Sequence, residues 1–420
     1  NDLLALYSKI EEVYLLATQF KDTLKDLQPS IDQSIYYWAK QVEQQVNDWR
    51  IIFEHYLPWC AHFKKTIFLE VLANNENLQK ILIHLKHTPS LVQLADNAYS
   101  GMNYFFEKFP SLHIEQLTKW YSELQNLYKI SCERCAHKSL FIHELKDRIE
   151  KLSNQMNMSF LFNSERKLFS IGYHVSDHRM DTSFYDLLAS EARLASFLAI
   201  AKREAPVTHW WSLGRPFGRF DGLTILQSWG GTMFEYLMPV IYTKQFENSL
   251  LDIACKDAVF CQITYGKKRN IPWGISESAY SGLDIHKIYQ YRAFGVPGLG
   301  LKRGLENDLV VTPYSSALAL MIDPIEATNN LRLLSSTEAM FGEYGFFEAI
   351  DYSREKTPKG RKGVLIGTYM AHHQGMSISA IANTLNDNCL QKLFHLHPKI
   401  KAVESLLYER PSRPTLGKEG

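Results

Sequence analysis

Glycine is almost absent from the first 171 residues of this chain, which contain only Gly101, whereas residues 172–375 contain 19 of the 22 glycines. Glycine provides tight turns and close backbone approaches, so its scarcity favours uninterrupted helices in the first region. Its abundance further on predicts helices separated by long, tightly turned loops. The sequence therefore predicts two structurally different regions.

Other scarce features exclude several classes of protein. The six cysteines lack the spacing of a disulfide framework, and the Cys132-x-x-Cys135 pair has no second pair that would complete a zinc site. No run approaches the roughly 18 apolar residues of a membrane span. The formal net charge is only +1, which indicates neither nucleic acid nor an anionic membrane as a partner. We expect no metal and no cofactor.

The start of the chain carries neither a signal peptide nor an initiator Met before Asn1. We therefore expect the sequence to be a piece of a longer protein. With 420 residues it is long enough for two or three domains, or for one large domain with an appendage.

Apolar residues at helical spacing predict helices in both regions. In the first region these stripes cover 3–27, 35–56, 60–87, 90–108, 113–134 and 139–156. In the second region helices are predicted at 184–203, 233–246, 249–265, 313–321, 324–340, 366–385 and 398–409, with strands only at 167–175 and 309–313. The alternation of short and long connections favours an all-α fold class, an (α/α)6 toroidal barrel preceded by an N-terminal helical region. We predict a helical region at 1–139, a barrel domain at 140–410 and a tail at 411–420.

Glu191 lies on the apolar face of the predicted helix 184–203. At about 100° per residue, six apolar side chains fall within about 60° of it: Phe184, Leu187, Leu188, Leu194, Ala195 and Leu198. A carboxylate that faces a core costs several kcal/mol or stays protonated. Such a group serves either catalysis or a buried network satisfied by an arginine or by backbone amides.

Glycoside chemistry requires two carboxyl groups, one ionised and one whose pKa is raised. Glu191 suits the second role. Glu277, in a loop with Ser276, Ser278 and nearby Arg292, suits the ionised role. Four other acidic residues remain rivals: Glu235, Glu348, Asp186 and Asp284.

The long loops are rich in aromatic and charged side chains, a composition typical of carbohydrate sites, although such rings also fill space beneath loops. The segment GVPGLGLKRG at 295–304 lacks the full dinucleotide spacing, so a nucleotide role is disfavoured. The candidate substrate contacts are Trp210, Trp211, Arg215, Trp229, Glu235, Trp273, Tyr280, Tyr289, Tyr291, Arg292, Glu348, His372 and His373.

Several stretches between about residues 158 and 410 resemble, in order and at closely matching lengths, the glucoamylase-like region of cyclic β-1,2-glucan synthases. They include DTSFYDLLASEARLASFLAIAK (181–202), SWGGTMFEYLMP (228–239), PWGISESAY (272–280), YQYRAFGVPGLGLKRG (289–304) and YMAHHQGMS (369–377). One departure is Gly231, where a Ser or a similar small residue is expected. Residues 1–157 resemble the helical region before that domain only loosely.

The resemblance implies an (α/α)6 barrel within a large inner-membrane protein, on the cytoplasmic side, with further domains of the same synthase as partners. It implies an anomer-retaining transglycosylation that closes linear β-1,2-glucan into a ring. Glu191 would then be the acid/base and Glu277 the nucleophile. The alternatives are an inverting endo-β-1,2-glucanase and a non-catalytic glucan-binding module. Retention predicts carboxyl groups about 5–5.5 Å apart, and inversion about 6.5–9.5 Å.

Overall fold

The computed structural model describes residues 3–27, 33–336, 338–353 and 363–411. The chain divides into two compact units, Asn1–Met156 and Asn157–Gly420, each with its own hydrophobic core. We call them the N-terminal and the C-terminal unit. Apart from Pro411, the predicted tail 411–420 lies outside the described residues.

Helices make up the N-terminal unit: α1 (Leu3–Asp26), α2 (Gln33–Tyr56), α3 (Trp59–His62), α4 (Thr66–Ala73), α5 (Glu76–Leu82), α6 (Leu91–Ala95), α7 (Ser100–Lys108) and α8 (Thr118–Gln155). The stretches predicted at 113–134 and 139–156 form the single helix α8, because no Gly or Pro interrupts it. The domain boundary predicted after residue 139 therefore falls inside a helix.

Aromatic side chains form the core of the N-terminal unit. The rings of Phe68 and Trp120 stack with centroids 4.3 Å apart, and Phe63 meets Phe105 edge to face at 5.6 Å. Trp59, beside them in the same core, is fully buried. Such pairs add to the free energy gained by burying apolar area, so this unit has a packed core of its own.

The C-terminal unit alternates helices with very short strands. Its helices are α9 (Arg193–Ala201), α10 (Thr208–Ser212), α11 (Met233–Leu237), α12 (Leu250–Arg269), α13 (Pro313–Ala319), α14 (Pro324–Ser336), α15 (Ala371–Leu385), α16 (Cys389–Leu396) and α17 (Pro398–Val403). Its strands are β1 (Phe162–Asn163), β2 (Leu168–Ser170), β3 (Tyr173–His174), β4 (Arg179–Met180), β5 (Phe184–Tyr185), β6 (Phe217–Phe220), β7 (Leu223–Leu226), β8 (Ser278–Leu283), β9 (Tyr289–Arg292), β10 (Val310–Val311), β11 (Phe341–Gly342), β12 (Gly345–Phe346), β13 (Ala349–Asp351) and β14 (Val364–Ile366).

The strands pair antiparallel in small sheets. Two sheets have three strands, in the orders β1-β2-β5 and β10-β13-β14, and the others are the hairpins β3-β4, β6-β7, β8-β9 and β11-β12. Among the helices, α13 packs against α11, α14 and α15, and α11 packs against α12. The predicted predominance of helix is confirmed, and the small sheets brace the loops between the helices.

The helix predicted at 184–203 is wrong in its first half. Phe184 and Tyr185 form β5, which pairs with β2, and Leu188 donates its N–H to the carbonyl of Gly214 at 3.0 Å. Helix α9 begins only at Arg193. Glu191 therefore lies in the turn before the helix, because tertiary strand pairing overrides the amphipathic pattern.

Three further findings concern the described residues as a set. None of their helices combines the length and the hydropathy of a membrane span. Their His, Cys, Asp and Glu side chains form no group of three or more that could hold a metal ion. The six cysteines are free thiols.

Candidate active site

A buried arginine holds the turn that carries Glu191. The Arg193 guanidinium donates to the carbonyls of Ser190 at 3.0 Å and Glu235 at 2.7 Å, and also to that of Tyr236. Burial lowers the pKa of Arg193, while the carboxylate of Glu191 raises it. The Ser190 hydroxyl donates to Glu191 Oε2 at 3.2 Å. Glu191 is thus half-buried beside a cation that ties its turn to α11.

Hydrogen bonds to three helices hold the segment that carries Glu277. Gln262 of α12 bonds both the N–H and the carbonyl of Ile275, at 2.8 and 2.7 Å. The Ser276 hydroxyl accepts from the N–H of Phe234 in α11 at 3.0 Å and from the phenol of Tyr314 in α13 at 2.7 Å. The same phenol lies 3.0 Å from the Glu277 carbonyl, so the backbone of Glu277 is fixed where β8 begins.

Two loops, 228–231 and 295–302, are joined backbone to backbone near these segments. Val296 donates to the carbonyl of Gly231 at 3.1 Å, and Lys302 donates to that of Trp229 at 2.9 Å. Gly231 has a φ of +66°, and a Cβ there would lie 2.7 Å from the N atom of Gly300. A Ser at position 231 would therefore clash with backbone, which explains the departure from the expected pattern.

The carboxyl groups of Glu191 and Glu277 interact. Burial, and then the charges of Glu191 and Glu235, raise the pKa of Glu277 to about 7, against the opposing charge of Lys302. Burial, followed by the charges of both Glu191 and Glu277, also raises the pKa of Tyr185. Two acidic side chains that are distant in the sequence thus act on each other and on one tyrosine.

The raised pKa of Glu277 differs from the expectation from the sequence, in which Ser276, Ser278 and Arg292 would keep this carboxyl ionised. Ser276 bonds Phe234 and Tyr314 instead, and the Ser278 hydroxyl has no hydrogen-bond partner among the described residues. Arg292 pairs with Asp308 at 3.3 Å. Burial and like charge consequently raise the pKa of Glu277.

A buried carboxylate and a buried imidazole lie next to this pair. Glu348 Oε2 lies 2.9 Å from His373 Nδ1, and its Oε1 accepts the N–H of Ala279 at 3.2 Å. His373 Nε2 lies 3.4 Å from the Tyr291 hydroxyl. Glu348 and His373 are each only 2% exposed, so they meet other protein groups rather than solvent.

The profile of the family described as putative glucoamylase matches residues 183–398, which is just over half of the chain. The chain belongs to the putative glucoamylase family. The predicted resemblance to the glucoamylase-like region of cyclic β-1,2-glucan synthases is confirmed by 45% identity over 269 residues with the cyclic beta-(1,2)-glucan synthase NdvB of Rhizobium meliloti. That match covers 64% of this chain but only 10% of the synthase.

Two solved structures are similar to part of this chain. A putative glucoamylase from Bacteroides uniformis shares 16% identity over 63% of this chain and 65% of its own, with a TM-score of 0.49. An endo-beta-1,2-glucanase from Chitinophaga pinensis shares 16% identity over 63% of this chain and 65% of its own, with a TM-score of 0.48.

Glu235 of this glucoamylase-family chain has a structural position rather than the predicted contact with substrate. Its carboxylate accepts from the Ser228 hydroxyl at 2.8 Å and from the N–H groups of Gly230 and Thr232 at 2.8 and 2.9 Å. With the Thr232 side chain it forms a capping box at the start of α11. Three hydrogen bonds occupy both of its oxygens, although burial still raises its pKa.

The tryptophans predicted as sugar platforms fall into two groups. Trp210 and Trp273 are 1% and 6% exposed and belong to the hydrophobic core, so the prediction that they contact substrate is corrected. Trp211 and Trp229 are 54% and 63% exposed, and their rings are open to a ligand. The carbonyl of Trp229 accepts the N–H of Lys302, and the charge of Lys302 acts on Glu277.

The two predicted arginine contacts are engaged elsewhere. Arg215 forms a two-point ion pair with Glu409, at 2.6 and 2.8 Å, so the prediction that it binds substrate is corrected. Arg292 is half exposed and paired with Asp308. Tyr280 and Tyr289 are half-buried against the core, whereas His372 is exposed beside His373, with the ring centroids 4.0 Å apart.

Of the other two rivals, Asp284 shapes a hairpin through its side chain, and Asp186 contributes a backbone contact. Asp284 accepts the N–H groups of His286 and Ile288 at 2.8 and 2.9 Å and so shapes the tip of the β8-β9 hairpin. The carbonyl of Asp186 accepts the N–H of Gly214.

Three residues near the acidic pair were not predicted from the sequence: Tyr185, Arg193 and Lys302. Tyr185 and Arg193 lie on either side of Glu191 in the sequence. Arg193 follows it by two residues in the SEARL stretch, and this spacing was the available signal. Lys302 belongs to the segment that was considered only as a weak nucleotide motif. The basic side chain of Lys302 was the available signal, because a cation near two carboxyl groups stabilises their ionised forms.

Proposed function

We propose that the C-terminal unit is an anomer-retaining transglycosylase that cyclises linear β-1,2-glucan, with Glu191 as acid/base and Glu277 as nucleophile. The observation that carries this proposal is that the two carboxyl groups act on one site: the charge of Glu191 raises the pKa of Glu277, and both charges raise that of Tyr185. The substrate class is supported by the 45% identity to a synthase whose name states that it makes cyclic β-(1,2)-glucan.

The proposed reaction has two displacements. Glu191 protonates the leaving glycosidic oxygen while Glu277 attacks the anomeric carbon, which gives an α-linked glycosyl-enzyme. The 2-hydroxyl at the non-reducing end of the same chain then attacks. Glu191 takes its proton, a β-1,2 bond forms, and Glu277 leaves as a carboxylate. The departing fragment carries away the Glu191 proton in the first step, and the attacking 2-hydroxyl returns a proton to Glu191 in the second.

The raised pKa of Glu277 sets a condition on this reaction. Near neutral pH the free protein keeps a proton on Glu277 in a substantial fraction of molecules. The reactive form has that carboxyl ionised and Glu191 protonated. A glycosidic oxygen that accepts a hydrogen bond from Glu191 favours this form, so substrate binding and proton placement are linked.

We further propose that the C-terminal unit is an (α/α)6 barrel and that the chain works within a larger synthase at the cytoplasmic side of the inner membrane. The helices α9–α17, with aromatic loops between them, support the barrel. The 10% coverage of the related synthase supports the larger protein. A crystal structure tests the barrel by its concentric helices, and fractionation of the native protein tests its location.

Incubation of the protein with linear β-1,2-glucan tests the activity. Cyclic glucan without new reducing ends is the expected product. New reducing ends would instead identify an endo-β-1,2-glucanase, and binding without any product would identify a glucan-binding module. In the cyclic product, proton NMR of the closing linkage tests retention, since only retention makes that linkage β. Where new reducing ends form instead, retention gives the β-anomer first.

A further inference from the structure

The Glu348–His373 pair forms an array with Tyr291 that the proposed reaction does not use. Both oxygens of Glu348 are bonded, one to the Ala279 N–H and one to His373 Nδ1. A carboxylate at Nδ1 fixes the orientation of the ring and makes this nitrogen the donor. Both side chains are only 2% exposed.

The other side of the imidazole meets two tyrosines. With Nδ1 as the donor, Nε2 of the neutral ring accepts the Tyr291 O–H, 3.4 Å away. The imidazole also stacks on Tyr314, with centroids 3.8 Å apart and planes at 19°. Tyr314 in turn bonds the Ser276 hydroxyl and the Glu277 carbonyl. The ring of His373 is therefore contacted by two tyrosines, and one of them, Tyr314, also bonds the segment that carries Glu277.

Strand register places Tyr291 on the same face as Glu277. Ala279 of β8 lies directly opposite Tyr291 of β9, and Glu277 comes two residues before Ala279. Side chains alternate along a strand, so those of Glu277 and Tyr291 are diagonal neighbours. Burial, and then the charge of Glu277, raises the pKa of Tyr291, as this proximity requires.

We infer that Glu348 and His373 are positioning residues that fix the Tyr291 ring beside Glu277 and restrict the access of water to that carboxyl. A closed wall strengthens electrostatic interactions in the site and keeps water from the glycosyl-enzyme. The array would thereby favour transfer to a sugar hydroxyl over hydrolysis. This inference rests on the proposed function for its effect on products, but not for its effect on Glu277 itself.

Two variants, one at His373 and one at Tyr291, remove the contact between these side chains and leave the contact with Glu348 in place. In His373→Asn the amide replaces Nδ1, so the bond to Glu348 is kept and the contact with Tyr291 is lost. Tyr291→Phe removes the same contact from the other side. We expect each variant to raise the ratio of hydrolysis to cyclisation about fivefold, the population change that follows from one net hydrogen bond. The double variant should resemble the single ones, because both remove one interaction.

The pH dependence gives a second readout. Water that reaches Glu277 stabilises its ionised form, so its pKa should fall from about 7 toward that of an ordinary carboxyl in both variants. The charged and titratable groups that act on or lie beside Glu277 stay in place: Glu191, Glu235, Lys302, Tyr185 and Tyr314. The alkaline limb of kcat/KM, which should move to lower pH, and the carbon NMR titration of the Glu277 carboxyl both measure this shift.

The matched control is another imidazole–carboxylate pair of the C-terminal unit, in which the imidazole of His395 is buried. His395 Nδ1 lies 2.6 Å from Glu404, and its Nε2 accepts the N–H of Lys244 at 3.0 Å. His395→Asn should lower the thermal midpoint without changing the product ratio or the titration of Glu277.

The outcomes are distinguishable. Unchanged product ratios and an unchanged Glu277 pKa in His373→Asn and Tyr291→Phe would overturn the inference, as would strictly additive effects in the double variant. If the wild-type protein converts no β-1,2-glucan, the proposed function fails. The NMR titration then still decides whether the array shields Glu277.

Discussion

The turn that carries Glu191 and the segment that carries Glu277 are held in opposite ways. A buried guanidinium that spans three carbonyl groups fixes the first, and a positive charge therefore lies next to its carboxyl group. Neutral hydrogen bonds from α11, α12 and α13 fix the second, so burial and like charge dominate there. Backbone support and electrostatic environment are therefore set together. Because the groups that hold the Glu277 backbone are neutral, they do not offset the burial and like charge that raise the pKa of this carboxyl.

The largest expected effect comes from the two carboxyl groups themselves. Glu191→Gln and Glu277→Gln should each lower kcat by at least about 10³-fold with the fold intact, because each group makes or breaks a bond or moves a proton. Circular dichroism checks the fold. Full activity in either variant would remove that residue from the mechanism.

Azide distinguishes the two roles. With an aryl glycoside of a short β-1,2-glucan, Glu277→Ala plus azide should give an α-glycosyl azide, since azide replaces the nucleophile. Glu191→Ala plus azide should give the β-anomer, since azide then intercepts the glycosyl-enzyme. The reverse pattern would exchange the two assignments.

The next effect concerns the cation behind Glu191. Arg193→Met leaves three carbonyl groups without their donor, which should lower the free energy of unfolding by about 2–4 kcal/mol. The turn would also lose its tie to α11, so kcat should fall about tenfold or more. Arg215→Met is the matched control, because Arg215 also donates to backbone carbonyls but pairs with Glu409. It should lose stability while kcat stays within about twofold of the wild-type value.

The pH profile tests the second half of the comparison. The reactive pair carries one proton, on Glu191, while Glu277 is ionised, so kcat/KM should fall about tenfold per pH unit above about pH 7, where the pair loses that proton. Lys302→Met should move this limb to higher pH, because the lysine charge lowers the pKa of Glu277. Lys268→Met, which removes a charge paired with Asp221 at the surface, should leave it in place. A kcat/KM that stays level above pH 7 would show that the reaction does not need the proton held by the pair.

The smallest expected effect is on thermal stability. The pKa of Glu277 is raised in the folded protein, so the carboxyl favours folding below about pH 4.5 and this contribution is lost as pH rises through about 7. Glu277→Gln does not titrate, and above pH 7 it should melt a few degrees higher than the wild type. The difference should disappear at acidic pH. Calorimetry at both pH values measures it, and equal midpoints at pH 8 would show that Glu277 carries no burial cost.

The sequence identified Glu191 for a reason that the structure does not support. The apolar positions from Phe184 to Leu188 fit a helix, but they pair with β2 and with Gly214 across the fold. Helical periodicity cannot reveal a strand partner that is supplied by tertiary contacts. The helix predicted at 249–265 is confirmed at its start, where Ser249 caps α12, but α12 continues to Arg269 and ends at Asn270.

Side-chain roles were less predictable than elements. Trp210 and Trp211 are adjacent, yet one is buried and the other is exposed, and composition cannot separate them. Arg215 pairs with Glu409, and Glu348 with His373, through contacts between distant parts of the chain. The resemblance to a known family identified the segments that carry the acidic pair, but a single sequence carries no record of which charged groups neutralise each other.

The joined loops 228–231 and 295–302 limit how this protein can be redesigned or can diverge. At Gly231 and Gly300 the two backbones leave no volume for even a methyl group, and Trp229 and Lys302 lie on opposite sides of that seam. A library that randomises one loop alone would mostly yield misfolded clones. Variants that change these loops and still fold should therefore exchange 228–231 and 295–302 together.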